Sequence, residues 1–291
     1  MDWLRLLRAP NLLTVPGDPV AGCLLAAGAA AVPDVRLVMV AVAAVLFYAG
    51  GLVMNDLVDR AVDQRERPQR PLAAGRIPVS AARVALAVCF VGGAALCAAA
   101  GGWVLAAGLL LMSAIAAYNL LHRAGPLAAL LMGACRGLNV ALGVALAGAA
   151  GALAWAGMLL TACFVVALTA LARHEMSARK PGWRAWLPAS VVLVGFGFVV
   201  RQVELTPDME FRLTGAFFFA FALAGLAAWR LMEGGRGMAP AAIGLLVSAL
   251  IPLQAALCLA SGSGAWGMAA AFLLIVLWPL NRWLARSFAP S

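Results

Sequence analysis

The chain has 291 residues, of which 65% are hydrophobic and only 11% charged, and its formal net charge is +9. A soluble domain is about half apolar and about a quarter charged, so an ordinary soluble enzyme is excluded. The positive charge calls for no nucleic-acid partner, because it collects in the short breaks between apolar runs as membrane topology requires.

Those runs each approach the roughly 20 residues that cross a hydrocarbon core. They predict an all-α polytopic membrane bundle with ten spans, at about 10–31, 36–58, 80–100, 102–121, 126–148, 152–173, 185–201, 212–231, 239–260 and 264–284. The first follows a basic amphipathic lead, "MDWLRLLRAP", which reads as an interfacial start and not as a cleaved signal. Small-residue runs such as "AGCLLAAGAAA" and "GVALAGAAGALA" suit close helix packing. The seventh span is short and begins near Pro188. Cys23, Cys89, Cys97, Cys135, Cys163 and Cys258 lie scattered in apolar stretches without a CxxC pair. They read as small packing residues.

The basic residues predict the orientation. Arg5 and Arg8 precede the first span, and Arg60, Arg65, Arg67, Arg70, Arg76 and Arg83 follow the second. Arg123 follows the fourth, and Arg173, Arg179, Lys180 and Arg184 follow the sixth. Arg230 and Arg236 follow the eighth, and Arg282 and Arg286 close the chain. The alternate breaks hold only Arg36, Arg201 and Arg212. The positive-inside rule then puts both termini and the long basic loops in the cytoplasm of a multi-pass inner-membrane protein.

The densest charge directly follows the second span, in "NDLVDRAVDQRERPQRP" from Asn55 to Pro71. On a continuous helix Asp56, Asp59 and Asp63 fall within about 60° of one another and share a face. Three carboxylates that close need a cation among them. Mg²⁺ takes carboxylate oxygens and commonly bridges to substrate phosphates. Arg65, Arg67 and Arg70 follow, bounded by Pro68 and Pro71, and arginine suits forked contacts with phosphate oxygens. The pattern predicts a diphosphate–Mg²⁺ site at the cytoplasmic mouth of the bundle. The alternative reading, solvated anchors whose charges neutralise one another, leaves the spacing, Asn55 and the Pro-bounded arginines unexplained.

"NDLVDRAVDQRERPQRPLAAGRIP" closely resembles the first aspartate-rich motif of the UbiA superfamily of intramembrane prenyltransferases. That motif, NDxxDxxxDxxxxRPxRPLxxG, is matched by Asn55, Asp56, Asp59, Asp63, Arg67, Pro68, Arg70, Pro71, Leu72 and Gly75. The lead into "NLLTVPGDPVAG" and the "AAYNLLHR" segment resemble the family as well. The resemblance covers most of the chain and weakens after about residue 200. It implies one domain over residues 1–291, a helical horseshoe around a cavity that opens laterally to lipid. It also implies transfer of a prenyl group from an isoprenoid diphosphate to a lipid-soluble or aromatic acceptor, with Mg²⁺ held by two acidic motifs.

The second motif, usually DxxxD after the sixth span, should lie near "LARHEMSARKPGW", where only Glu175 is acidic. Glu175 is therefore expected to join Asp56, Asp59 and Asp63 at the metal. Arg173, Arg179 and Lys180 are expected to neutralise diphosphate. The family's YxxxK reads here as Tyr118 to His122. Tyr118, Asn119, Arg136 and Asn139 are expected to line the cavity, with an Asp18–Arg136 pair as the structural alternative for Arg136. His174 reads as a loop residue and not a base. Two further functions compete: a relative that binds or cyclises a prenyl diphosphate or uses another phosphorylated donor, and a secondary transporter. The transporter reading leaves the aspartate–arginine motif unexplained.

Overall fold

The computed structural model describes residues 1–32, 34–174, 181–204, 206–234 and 238–287. Among them every regular element is helical. In chain order these are α1 (Asp2–Leu6), α2 (Ala9–Leu12), α3 (Gly17–Ala27), α4 (Val35–Val58), α5 (Arg60–Glu66), α6 (Val79–Ala100) and α7 (Gly102–Leu121). They continue as α8 (Pro126–Ala147), α9 (Ala152–His174), α10 (Leu187–Val200), α11 (Pro207–Glu233), α12 (Met238–Ala260) and α13 (Ala265–Ser287).

Ten helical segments among the described residues are long and apolar enough to cross a bilayer, as the hydropathy predicts. The seventh, Gly182–Val200, is a 3₁₀ turn running into α10. The eighth begins at Pro207, earlier than the predicted 212. Its first turn is polar and escapes a hydropathy reading: Thr206 caps it by accepting from the Met209 amide at 3.4 Å, and Asp208 and Glu210 sit at the positive end of the helix dipole;.

Helices adjacent in sequence pack as neighbours from α6 to α13, and α3 sits inside the arc against α4, α8, α9 and α12. The approach of α3 to α8 depends on glycine. A Cβ on Gly143 would run into the Pro19 carbonyl and the Cys23 amide, and one on Gly22 into the Val140 carbonyl. Lipid tails are as apolar as leucine, so close contact and polar pairing supply the attraction that hydrophobicity cannot. Phe47, fully buried in α4, fills the notch left by Gly93 of α6. All six cysteines are free.

Gly143→Ala should lower the melting temperature of the purified protein by several degrees, since overpacking costs about 1–3 kcal/mol. Gly215→Ala, where nothing lies within 4 Å of the added carbon, should leave it unchanged or slightly raised. Equal melting of the two variants in a detergent thermal-shift assay would contradict this packing.

Candidate functional site

The aspartate-rich segment begins inside a helix and finishes outside it. α4 ends at Val58, the chain bends at Asp59, and α5 resumes at Arg60. The Asp59 amide still donates to the Asn55 carbonyl at 2.9 Å, and the Asp63 amide to the Asp59 carbonyl at 2.8 Å. The bend corrects the expectation of one shared face. Asp56 and Asp63 turn to the same cation: Arg70 Nη1 lies 3.5 Å from Asp56 Oδ1 and 2.7 Å from Asp63 Oδ2. Asp59 turns away to the residues just past α7, where its Oδ1 accepts from Arg123 Nη2 at 2.8 Å and meets His122 Nε2 at 3.1 Å. A split of this kind relieves the mutual repulsion of three carboxylates, because each finds a positive partner. Among the described residues no cluster of three or more His, Cys, Asp or Glu side chains has metal-binding geometry.

The turn after α5 carries Arg70 back to the carboxylates. Arg67 ends α5, its amide donating to Asp63 O at 2.8 Å, and the Arg70 amide donates to Arg67 O at 3.0 Å. Gly75 takes φ +72°, which lets the segment double back;. Arg76 then fastens it to α1 through Asp2 at 2.9 Å and to the Gln69 carbonyl at 2.7 Å. His122, at the family's lysine position, links three elements. Its Nδ1 lies 2.9 Å from the Asn119 carbonyl, its Nε2 faces Asp59, and its own carbonyl accepts from Arg173 at 2.8 Å. Arg173 therefore braces the ends of α7 and α9. Glu175, Arg179 and Lys180 lie outside the described residues, as does the side chain of His174.

Beside this charged end opens a cavity of about 310 Å³. Arg8, Asn11, Asn55, Tyr118 and Asn119 line it, with Leu52, Leu111, Ile115, Leu168, Val247 and Leu250 among its apolar walls. Tyr48, Arg136 and Asn139 line it too. The structure thus brings Asn55, Tyr118, Asn119, Arg136 and Asn139 to one cavity, and the carboxylates follow directly after Asn55 in the chain without lining it.

Sequence reasoning missed Arg8, which it read as an interfacial anchor. Arg8 lines the cavity and is the one non-glycine at positive φ, +45°, among the described residues. That backbone is strained for a side chain of this size. No carboxylate among the described residues pairs with its guanidinium, although its charge and that of Arg70 both act on Asp56. The only signal was "RAPN", an arginine two residues before a helix-starting proline.

Arg136 has a second and structural role, the expected pair with Asp18. Its Nη1 donates to Asp18 Oδ2 at 2.6 Å and to the Thr14 carbonyl at 3.1 Å, and its Nη2 to Thr14 Oγ1 at 2.6 Å. Asn139 Nδ2 donates to Asp18 Oδ2 at 2.9 Å and to the Val15 carbonyl at 3.2 Å. Gln254 of α12 reaches the other side, donating to Asp18 Oδ1 at 2.5 Å and to the Thr14 carbonyl at 2.7 Å. Asp18 is fully enclosed. The guanidinium also stacks 5.8 Å above the Tyr48 ring;.

The UbiA prenyltransferase family matches residues 19–252. The chain belongs to the UbiA prenyltransferase family. The match runs past residue 200, where the motif resemblance weakens. This UbiA-family chain is 37% identical over 94 residues to the digeranylgeranylglyceryl phosphate synthase of Methanoculleus marisnigri, a stretch that is 32% of this chain and 33% of that protein. It is 36% identical over 93 residues to the protein of the same name from Methanopyrus kandleri, 30% of this chain and 31% of that one. The chain thus spans about a third of the length of these curated relatives. Two solved UbiA homologues share the fold. The apo structure from Aeropyrum pernix K1 superposes with a TM-score of 0.69 at 17% identity, covering 86% of this chain and 97% of that one. The Archaeoglobus fulgidus homologue bound to GPP and Mg²⁺ superposes at 0.66 and 16% identity, covering 95% of this chain and all of that one.

In this UbiA-family bundle, Arg136→Gln should destabilise by about 3–5 kcal/mol, because it strands the Asp18 charge in a dry interior. Adding Asp18→Asn should recover part of that loss. Strictly additive losses in a double-mutant cycle of thermal melts would mean that the two groups do not act as a pair.

Proposed function

We propose that this protein transfers a prenyl group, within the membrane, from an isoprenoid diphosphate to an acceptor. The observation that carries this reading is the cation seat at the mouth: a guanidinium nitrogen held between Asp56 and Asp63 beside an apolar cavity. Two carboxylates already arranged around a positive charge fit a hard divalent ion such as Mg²⁺. Asp56 and Asp63 would hold it, with Asp59 and Glu175 completing its surroundings. When bound, the ion neutralises the diphosphate that departs with the electron pair of the breaking C–O bond.

The chain's own residues supply the rest. Arg8, which has no carboxylate partner among the described residues and lines the cavity, binds a phosphate oxygen;. Arg67, Arg70, Arg179 and Lys180 add positive charge around the same group. The apolar walls receive the prenyl tail and keep water from the allylic cation. Asp59, His122, Arg123 and Arg173 fix the ends of α4, α7 and α9 so that these groups face one another. No protein base is needed before ionisation, since charge stabilisation on the leaving group drives that step. The acceptor then attacks the cation. The basic breaks that share this end support a cytoplasmic mouth in an inner-membrane protein.

Arg8→Gln should raise the donor Kd about ten-fold or more, since a charge-assisted hydrogen bond contributes about 1.5–3 kcal/mol. Asp56→Asn should abolish the dependence of donor binding on Mg²⁺. Both can be read by calorimetry with farnesyl and geranylgeranyl diphosphate on protein in nanodiscs. Unchanged binding in both variants would refute the site, and absence of pyrophosphate release from every donor in native lipid extract would refute the transfer.

A further inference from the structure

Three arginines that the mouth does not use converge between α11 and α13. The rings of Phe219 on α11 and Trp278 on α13 meet with centroids 5.0 Å apart, so these faces of the two helices point at each other. Arg230 lies three turns beyond Phe219 and about 20° round α11 from it;. Arg282 and Arg286 lie one and two turns beyond Trp278, about 40° and 80° round α13;. Both helices run the same way and end at the face of the bundle where α4, α7 and α9 end. Helix rise puts Arg230 about 16 Å and Arg286 about 12 Å beyond the aromatic pair, within one side chain's reach of a common level. The charges of Arg230 and Arg286 both act on Arg282.

α12 packs against both helices and floors the groove between them. The floor is shallow where Gly244 stands: a Cβ added there would lie 3.9 Å from Arg282 Nη1 and within 4 Å of no other group among the described residues. Arg282 therefore lies along α12. An arginine that serves only as an anchor sends its guanidinium out to water, as the exposed Arg286 can. Arg230 and Arg282 are instead partly buried. No ion pair among the described residues includes Arg230, Arg282 or Arg286. Glu233, the acid nearest them in sequence, accepts from Trp229 Nε1 at 2.7 Å. A guanidinium does not shed its proton in a protein, so an anion placed among the three relieves their repulsion.

We propose that this groove holds the headgroup phosphate of an anionic phospholipid, gripped by Arg230, Arg282 and Arg286, with its acyl chains along α11 and α13. The level suits a headgroup. Trp229 and Trp283 are 59% and 63% exposed, as tryptophans at a membrane interface are. Leu226, Val276 and Leu280, nearer the middle of the helices, are exposed too and offer apolar surface to the chains. Basic pockets between membrane helices bind such headgroups, and arginine forks onto phosphate oxygens. A zwitterionic headgroup carries its own cation and gains less from the cluster. None of the three arginines lines the cavity, so the lipid site stands apart from the proposed diphosphate site and does not rest on the prenyl-transfer reading. Seated there, the lipid ties α11 to α13 across α12.

The test uses the full chain, purified in a neutral detergent and given phosphatidylglycerol, phosphatidylcholine or inorganic phosphate. Native mass spectrometry reads the bound lipid and a thermal shift reads its effect. Phosphatidylglycerol should stay bound and raise the melting temperature by mass action on the folded state, while phosphatidylcholine and inorganic phosphate should not. Arg230→Gln combined with Arg282→Gln should weaken phosphatidylglycerol at least ten-fold in apparent Kd. Arg5→Gln combined with Arg83→Gln, which removes the same charge at exposed positions on the same face, should keep it within two-fold. Unchanged binding in the first pair, or equal weakening in both, would overturn the inference, and an equal response to inorganic phosphate would assign the cluster to a free anion. Wild-type protein supplies a second reading that does not depend on how the variants fold. Phosphatidylglycerol with a photoreactive headgroup should label segments 226–233 and 276–286, and geranylgeranyl diphosphate should not displace it. Labelling confined to other helices, or displacement by the diphosphate, would overturn the site.

Discussion

A guanidinium inside a bilayer must be paired, and the pairing of Arg136 fixes the centre of this molecule. Its partners come from the start of α3 and the turn before it, and the same carboxylate is gripped from the far side by Gln254 of α12. The polar contacts thus bind three helices that hydrophobicity alone would leave free to slide. Gly22 and Gly143 let α3 and α8 approach closely enough for the contacts to form. Asn281 of α13 adds another tie to the first span through the Pro10 carbonyl at 2.6 Å. The cavity lies against this knot, so its wall is held by charge and hydrogen bonds as well as by packing.

At the mouth the problem is reversed, because carboxylates are in excess over a short stretch. Bending the chain at Asp59 gives Asp56 and Asp63 to Arg70, and Asp59 to the residues just past α7. Arg70 sits between two of these carboxylates, the pair proposed above to hold a divalent ion. A diphosphate arriving with its ion would compete for the same carboxylates and offer Arg70 phosphate oxygens in return. Arg8 stands ready without that exchange, held by a strained backbone beside the cavity. Backbone strain at an arginine that no carboxylate among the described residues pairs fits a binding role.

The ten spans were legible because each is apolar on most faces, and hydropathy needs no knowledge of packing. The aspartate–arginine segment was legible because charge is so rare elsewhere that its spacing stands out. The bend at Asp59 was not, since neither glycine nor proline marks it and helical spacing assumes an unbroken helix. The role of Arg8 was hidden by the same logic: a basic residue before the first span also satisfies the topology rule. Gln254 drew no notice, being a neutral side chain in an apolar run, although it completes the shell of Asp18. Pairing across 236 residues cannot be read from local pattern.

The central claim is that Asp56 and Asp63 seat a divalent ion that carries the donor diphosphate at the mouth of this cavity. The most direct measurement is anomalous diffraction from crystals grown with Mn²⁺ and an unreactive thiolodiphosphate analogue of geranylgeranyl diphosphate. The expected result is a manganese peak between the Asp56 and Asp63 carboxylates, with Arg70 moved onto phosphate and the prenyl chain lying along Leu111 and Ile115. A manganese peak away from both aspartates, or a prenyl chain outside the cavity, would contradict it.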